Sequence, residues 1–214
     1  MQDVIVLFGK PGAGKGTRLS EFLETTDKKF NILSVGNMLR QARADNTELG
    51  QKAAQFMDAG TLVPDDIING IVIEGIKAST EPIISDGFPR TVGQAQAMLD
   101  AGIMPIVIDF QVEDEVVIQR ARDRIVCENK KCGETYTTND FKPPVVEGIC
   151  DKCGCHLVRR PDDDPEVVAN RLEVYRNQTL PVLKLMESYG VKVYTIDNSA
   201  PKNAKIQFTE LMNG

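Results

Sequence analysis

One short segment constrains this chain more than any other. An apolar run over residues 3–8 ends in the glycine-rich turn GKPGAG at residues 9–14, and Lys15, Gly16 and Thr17 follow where a helix should begin. Glycines let the backbone curl until successive N–H groups point into one concavity, which binds phosphate oxygens. The first turn of the helix adds free N–H groups and the positive end of its dipole. The segment therefore predicts a strand, a phosphate-binding loop and a helix in direct succession.

The loop departs at one place from the common phosphate-binding pattern G-x-x-x-x-G-K-[ST]. Gly16 stands where that pattern has Ser or Thr, and Thr17 follows one residue later. We expect Lys15 to reach the terminal phosphates of a nucleotide and the Thr17 hydroxyl to lie near Mg²⁺. A tight turn without a ligand needs neither four glycines nor a lysine. The departure argues against the GTPase and motor forms of the loop and favours the small nucleotide kinases.

Composition sets the broad class of protein. The 214 residues are 42% hydrophobic, enough for the core of one α/β domain with a small insertion. No apolar run has the length of a membrane span, and the first residues lack the pattern of a signal peptide. The expectation is a soluble, cytoplasmic protein. A formal net charge of −6 argues against nucleic-acid binding through overall electrostatics.

Strand-like and helical segments alternate along the chain. Further strands are predicted at residues 30–34, 83–86, 105–110 and 191–196, with helices between them. This order predicts a doubly wound parallel sheet of about five strands. Two stretches do not fit the sheet, and both are predicted to be insertions above the carboxyl ends of the strands, where ligands bind. The core is expected to comprise residues 1–34, 64–126 and 164–214, with a helical insertion at 35–63 and a second insertion at 127–163.

All five cysteines lie in the second insertion. Cys127-x4-Cys132-Gly and Cys150-x2-Cys153-Gly resemble the paired knuckles of a zinc ribbon. Four thiolates suit tetrahedral Zn²⁺ and leave no open position, which predicts a structural metal. Cys155 or His156 could replace one ligand, although the knuckle spacing favours Cys153. Because the segment has few large apolar residues, the metal would supply stability that its core cannot.

A second motif closes the strand at residues 83–86. Asp86-Gly87-Phe88-Pro89-Arg90 is followed by Gln94 one turn into the next helix. Together with the loop at residues 9–17, this motif resembles the signature of the adenylate kinases, and the resemblance extends over essentially the whole chain. The insertions fall where that family has its nucleoside-monophosphate-binding domain and its lid, in the long zinc-binding variant.

The resemblance implies site residues. The ATP-binding residues it implies are Gly12, Ala13, Gly14, Lys15, Gly16, Thr17, Arg124, Thr135, Tyr136 and Ala200. Those for AMP are Val35, Arg40, Thr61, Leu62, Val63, Gly87, Phe88, Pro89, Arg90, Gln94, Arg160 and Arg171. The catalytic set is Lys15, Arg90, Arg124, Arg160 and Arg171, the metal ligands are Cys127, Cys132, Cys150 and Cys153, and Asp162 and Asp163 would contact arginines during closure. Arg18, Arg43 and Arg176 are expected to be solvated surface charges.

The chain departs from the family pattern in three places. Val35 and Asn37 stand where the family often has Thr and Asp, which removes a hydroxyl and a charge near AMP. No Gly-Arg follows the tripeptide at 124–126, so an expected phosphate-binding arginine is absent or replaced by Lys130 or Lys131. Ala200 replaces a common lysine, although its carbonyl could still contact adenine.

The resemblance implies reversible phosphoryl transfer from Mg-ATP to AMP, which gives two ADP and keeps adenine nucleotides in balance. No partner other than these nucleotides is expected, neither nucleic acid nor membrane, and the chain is expected to be a monomer. Two alternatives stay open. One is a nucleoside monophosphate kinase with another acceptor or with GTP as donor. The other is a phosphate-binding-loop ATPase that uses the zinc ribbon to bind a partner.

Overall fold

A parallel sheet forms the centre of the computed structural model, which describes residues 3–129 and 131–213. The strands in chain order are β1 Val4–Gly9, β2 Asn31–Ser34, β3 Ile83–Asp86, β4 Ile106–Gln111, β5 Arg124–Cys127, β6 Thr135–Thr137, β7 Leu157–Val158 and β8 Lys192–Asp197. Five of them pair in the order β2-β3-β1-β4-β8, all parallel. The predicted doubly wound sheet is confirmed, and each of its strands lies within one residue of its expected position.

Helices cover both faces of this sheet. In chain order they are α1 Lys15–Leu23, α2 Val35–Ala44, α3 Glu48–Asp58, α4 Asp65–Ala78, α5 Val92–Asp100, α6 Asp114–Asp123, α7 Pro165–Val174, α8 Pro181–Ser188 and α9 Pro201–Asn213. A π-helical turn at Tyr175–Thr179 connects α7 to α8. Among the described residues, none of the helices combines the length and the apolar character that crossing a bilayer would require.

The sheet separates two hydrophobic cores, because alternate residues of each strand point to opposite faces. Val6 of β1 joins the core that α4, α5 and α8 cover, and its neighbour Leu7 joins the core beneath α1 and α9. In the second core the ring of Phe208 lies 5.9 Å from that of Phe22 and 5.4 Å from that of Phe110, between centroids. This burial on both faces explains why β1 is apolar throughout.

The first insertion contains two packed helices, as expected. The chain reverses between α2 and α3 at Asn46, which has φ 54°. A Cβ on Gly50 would lie 2.2 Å from the Ala42 backbone, so only glycine allows the two helices to approach this closely. The predicted break near residue 46 therefore has a local cause in the backbone conformation.

The second insertion contains a small antiparallel sheet in the order β6-β5-β7. Its central strand, β5, starts at Arg124 directly after α6 ends at Asp123. The sheet therefore begins before residue 127, where sequence analysis places the domain boundary. The division into core, helical insertion and lid stays a prediction.

We expect Phe208→Ala to lower the free energy of unfolding by about 3–5 kcal/mol, because it leaves a cavity between α9 and the sheet. Phe208 is 1% exposed and contacts the rings of two other phenylalanines. Ile206→Ala on the same helix is the control, because Ile206 is 58% exposed and a surface change shifts stability by about 0.5 kcal/mol or less. Denaturant unfolding of both variants makes the measurement, and equal losses would contradict this account of the core.

Candidate functional site

A cleft of about 1120 Å³ lies at the carboxyl edge of the sheet, bounded by the glycine-rich loop and both insertions. Most of the residues that sequence analysis assigns to a nucleotide line it. From the ATP set these are Gly12, Gly14, Lys15, Gly16, Thr17, Arg124, Thr135 and Tyr136, and from the AMP set Val35, Arg40, Thr61, Leu62, Val63, Gly87, Pro89, Arg90, Gln94, Arg160 and Arg171. The fold thus brings both sets to one continuous cavity.

Three expected site residues lie outside this lining. Ala13 and Phe88 are buried in the hydrophobic cores, with exposed fractions of 1% and 0%. The Phe88 carbonyl accepts a hydrogen bond from Ser85 Oγ at 2.8 Å. The Ala200 carbonyl accepts the backbone N–H of Ala204 in the first turn of α9. These residues shape the cleft through the backbone around them.

The glycine-rich loop adopts the backbone that the sequence predicts. Gly9, Gly12 and Gly14 have φ values of 128°, 81° and 90°, a region that other residues rarely occupy. At Gly9 a Cβ would lie 2.4 Å from the carbonyl oxygen of Phe110 on the neighbouring strand. Gly14 is the N-cap of α1, so the first N–H groups of that helix open toward the cleft. The loop and the helix start therefore form one concavity suited to phosphate.

Lys15 lies across the mouth of this loop. Its Nζ donates to the carbonyl oxygens of Gly9 and Lys10 at 2.8 and 2.9 Å. Burial lowers the pKa of Lys15 to about 8, with Arg90 and Arg171 also lowering it and Asp86 opposing them. Lys10 points elsewhere, since its Nζ donates to Val112 and forms an ion pair with Asp114. Of these two lysines, only Lys15 lines the cleft.

The cleft concentrates arginine side chains. Burial, followed by the charge of neighbouring arginines, lowers the pKa of Arg90 and of Arg160 to about 10. Within residues 3–129 and 131–213, neither guanidinium has a hydrogen bond or an ion pair with another residue. Burial likewise lowers the pKa of Arg40, which lies in the same cavity. Cations that repel one another in a partly buried cavity favour binding of an anion.

Two aspartates contact further arginines of the cleft. Arg124 Nε donates to Asp163 Oδ2 at 2.8 Å, and a second, shorter bond makes the pair bidentate. Burial opposes the charge of Arg124, but the hydrogen bond and charge of Asp163 outweigh it and raise the arginine's pKa. Asp162 accepts from Arg171 at 3.0 Å and lies 3.9 Å from Arg40. Asp162 and Asp163 are therefore both in contact with arginines of the cleft.

Sequence reasoning missed Arg120. Its Nη1 donates to the Ala13 carbonyl at 3.1 Å and its Nη2 to the Asn198 carbonyl at 2.6 Å. The Asn198 side chain donates to the same Ala13 carbonyl at 2.5 Å. The Ala13 carbonyl therefore accepts hydrogen bonds from two side chains that line the cleft. Arg120 lies four residues before Arg124, a helical spacing that places the two arginines on one face. This spacing was the signal for Arg120 that the sequence offered.

Arg120 also bears on the arginine that sequence analysis found missing. Lys130 lies outside the described residues, and Lys131 is exposed and does not line the cleft. Arg120 and Arg124 both line it, so two arginines reach the cleft from the end of α6. Which side chain takes the place of the missing arginine stays a prediction, since the Arg120 guanidinium donates to the Ala13 and Asn198 carbonyls.

The expectation that Arg18 is a solvated surface charge is wrong. Arg18 is 4% exposed, and its Nη1 donates to the Pro201 carbonyl at 2.7 Å. It connects α1 to the start of α9, and sequence analysis missed it because that contact spans 183 residues. Arg43 and Arg176 are exposed and form ion pairs with Asp58 and Asp114, as a surface role predicts.

The opposite end of the cleft carries the residues assigned to AMP. Arg40 donates to the Asn37 side chain at 2.6 Å, and Val35 is buried beneath them. Gln94 is 3% exposed and still lines the cleft, with its Nε2 donating to Asp65 and its Oε1 accepting from the Arg90 backbone N–H. This amide therefore has a fixed position at the wall of the cavity.

The four predicted cysteine ligands lie together. The Sγ atoms of Cys127, Cys132, Cys150 and Cys153 are all within 4.8 Å of one another. Cys127 and Cys153 are 3.3 Å apart and Cys132 and Cys150 3.7 Å apart, between Sγ atoms. Tetrahedral Zn²⁺ with bonds of about 2.3 Å requires sulfur separations of about 3.8 Å, so the donor set fits. Among the described residues, Cys155 and His156 do not belong to the cluster.

Comparisons with known proteins agree with this geometry. The family model described as "Adenylate kinase" matches residues 7–191. An adenylate kinase of Staphylococcus aureus strain Mu50 is 45% identical over 205 residues, covering 91% of each chain. An adenylate kinase of Staphylococcus epidermidis strain RP62A is 44% identical with the same coverage. The chain belongs to the adenylate kinase family.

Proposed function

We propose that the two ends of the cleft bind the two substrates of the ATP:AMP phosphotransfer that this enzyme family performs. ATP binds on the glycine-rich loop, and AMP binds beside Arg40 and Gln94. The observation that carries the proposal is the unpaired, partly buried arginine charge of Arg90 and Arg160 between those ends. A cavity of this charge favours the several phosphates of two nucleotides bound at once.

The chemistry requires alignment, neutralisation of charge and exclusion of water rather than a nucleophilic side chain. In the proposed reaction an oxygen of the AMP phosphate attacks the γ-phosphorus of ATP, and the bond to the β-phosphate oxygen breaks. Lys15 exchanges its two carbonyl acceptors for phosphate oxygens, while Arg90, Arg124, Arg160 and Arg171 stabilise the charge on the transferring group.

Mg²⁺ bound together with ATP would neutralise part of the phosphate charge. Thr17 and Asp86 line the cleft beside the loop, and they carry the oxygen ligands or second-sphere acceptors that Mg²⁺ prefers. Asp86 also accepts from Ser34 Oγ at 3.5 Å, which helps to orient its carboxylate.

We propose that Zn²⁺ occupies the four-cysteine cluster and stabilises the small sheet of the lid. Among the described residues of this segment, the buried apolar cluster consists of Cys127, Tyr136 and Cys150, with Ile125 and Leu157 packed against it, which is a small core for such a segment. Zn²⁺ bound by four thiolates has no open coordination position, so its role is structural.

The proposal includes a monomer in the cytoplasm without nucleic-acid or membrane partners. Most of the residues expected to bind ATP and AMP meet in one cleft within a single chain, so the proposed site does not require a second copy. Five free thiols suit a reducing compartment, and a net charge of −6 disfavours binding to polyanions. Among the described residues that line the cleft, no contact favours another acceptor, GTP as donor or a simple ATPase.

A coupled assay for ADP formation from ATP and AMP tests the reaction. Lys15→Met is expected to lower kcat by about 10²–10³-fold with the fold intact, because it removes one donor to the charge of the transition state. Lys10→Met is the matched control from the same loop, since Lys10 contacts Val112 and Asp114 outside the cleft. Near-normal turnover of folded Lys15→Met would remove Lys15 from the catalytic set.

The same lysine predicts a pH dependence for ATP binding. Its pKa of about 8 in the free protein means that the ammonium form predominates below pH 8 and the neutral amine above it. Phosphates bind the charged form, so ATP affinity should be constant at lower pH and weaken as the pH rises through 8. Lys15→Met should lack this weakening.

Gln94→Ala is expected to reduce discrimination between AMP and other monophosphates more than it reduces kcat at saturating AMP. Gln94 lies at the wall assigned to the base rather than beside the transferring phosphate. Gln96→Ala is the control on the same helix, since Gln96 contacts Asp100 and Tyr189 at the surface. An unchanged preference in Gln94→Ala would place adenine recognition elsewhere, for example on the backbone near Thr61.

One zinc per chain is expected from elemental analysis of protein purified without chelator. Cys150→Ser should lose the metal and lower the thermal midpoint, whereas Cys155→Ser should retain both, because Cys155 lies outside the cluster. Activity at low temperature should partly persist after metal removal, since the metal does not touch the reacting groups. Metal-free protein with reduced cysteines would refute the site, and complete loss of activity in a folded chain would indicate a catalytic metal.

A further inference from the structure

The side-chain amide of Gln94 can read a purine only if its direction is fixed. Adenine offers an amino donor at position 6 and an acceptor at N1, whereas a 6-oxopurine offers a carbonyl acceptor at position 6 and a donor at N1. A primary amide has a donor and an acceptor side by side and pairs with either edge after a rotation of about 180°. Gln94 alone would therefore accept both classes of purine.

Two contacts fix the direction of this amide. Nε2 donates to Asp65 Oδ1 at 2.9 Å, and Oε1 accepts from the Arg90 backbone N–H at 2.7 Å. An ionised carboxylate can only accept and a backbone N–H can only donate. If the amide were rotated by about 180°, Nε2 would face the Arg90 N–H and Oε1 would face the Asp65 carboxylate. Because Gln94 is 3% exposed, water could not relieve these two unfavourable contacts. One N–H of Nε2 and one lone pair of Oε1 remain to pair with a base, and their relative positions are fixed.

Asp65 is itself held in place. Its Oδ2 accepts from Thr91 Oγ1 at 2.6 Å, and that hydroxyl accepts the backbone N–H of Gln94 at 3.0 Å. Asp65 is also the first residue of α4, where the helix dipole favours a negative charge. A closed set of bonds therefore joins the start of α4 to the start of α5.

We infer that Asp65 is a positioning residue that sets the direction of the Gln94 amide and thereby selects AMP over 6-oxopurine monophosphates. Asp65 does not line the cleft, so it acts through Gln94 rather than on the nucleotide. This inference rests on the proposed function, in which Gln94 contacts the base of the acceptor.

The test compares AMP with IMP as acceptors, because IMP differs from AMP only in the donor and acceptor pattern at positions 6 and 1. In Asp65→Asn the ratio of kcat/KM for AMP to that for IMP should fall by about 5- to 10-fold, the size of one hydrogen bond. The new amide can donate as well as accept and no longer opposes the turned Gln94. KM for ATP should not change.

Asp66→Asn is the matched control, since Asp66 is the next residue of α4 and is exposed. It removes the same charge and should keep the AMP preference. Asp65→Ser, whose shorter side chain removes the carboxylate from Gln94, is measured in parallel and should also lower the ratio, so the test does not depend on one variant folding.

A purely structural role for Asp65 would lower kcat/KM for AMP and IMP equally, and that result would overturn the inference. An unchanged ratio in both folded variants would overturn it as well. Gln94→Ala separates these failures from a failure of the proposed function. If Gln94→Ala changes the ratio and the Asp65 variants do not, only the inference fails; if Gln94→Ala has no effect, the assignment of AMP to this wall fails.

Discussion

Repulsion among cations in a partly buried cleft is the constraint on which the site depends. Burial and neighbouring arginines together lower the pKa of Lys15, Arg90 and Arg160. Asp162 and Asp163 neutralise only part of this charge, because they are already bound to Arg171 and Arg124. The cleft of the folded protein therefore holds a positive charge that the phosphates of the proposed substrates would neutralise, and the glycine-rich loop adds uncharged donors at the same place.

The way these charges are held follows from the sheet. Parallel strands bring the ends of β1, β2 and β3 to one edge. The loop after Gly9, the start of α2 after Ser34 and Asp86 therefore meet, although the sequence separates them widely. The two cores fix these strands from both faces. The charged residues at this edge are thus attached to the most buried strands of the molecule, where close packing limits changes in their positions.

Local signals in the sequence predicted the fold and most of the cleft. Apolar runs gave the five parallel strands, and the glycine-rich loop, the Asp86–Arg90 motif and the cysteine pairs each carry their chemistry within a few residues. Contacts across long separations were not predictable in this way. Arg18 contacts Pro201, Arg120 contacts Asn198, and Asp65 contacts Gln94, and none of these pairs leaves a pattern in a short window. Arg18 was misassigned for this reason.

The junction between α6 and β5 has a mechanical consequence. Arg124 ends the helix and begins the strand with no linker between them, and its partner Asp163 lies where the chain returns from the small sheet to α7. One ion pair therefore ties together both passages of the chain between the two sheets. In the proposed reaction a phosphate bound by Arg124 would compete with Asp163 for the same guanidinium, so the contact that links the two passages and the contact that binds the ligand draw on the same side chain.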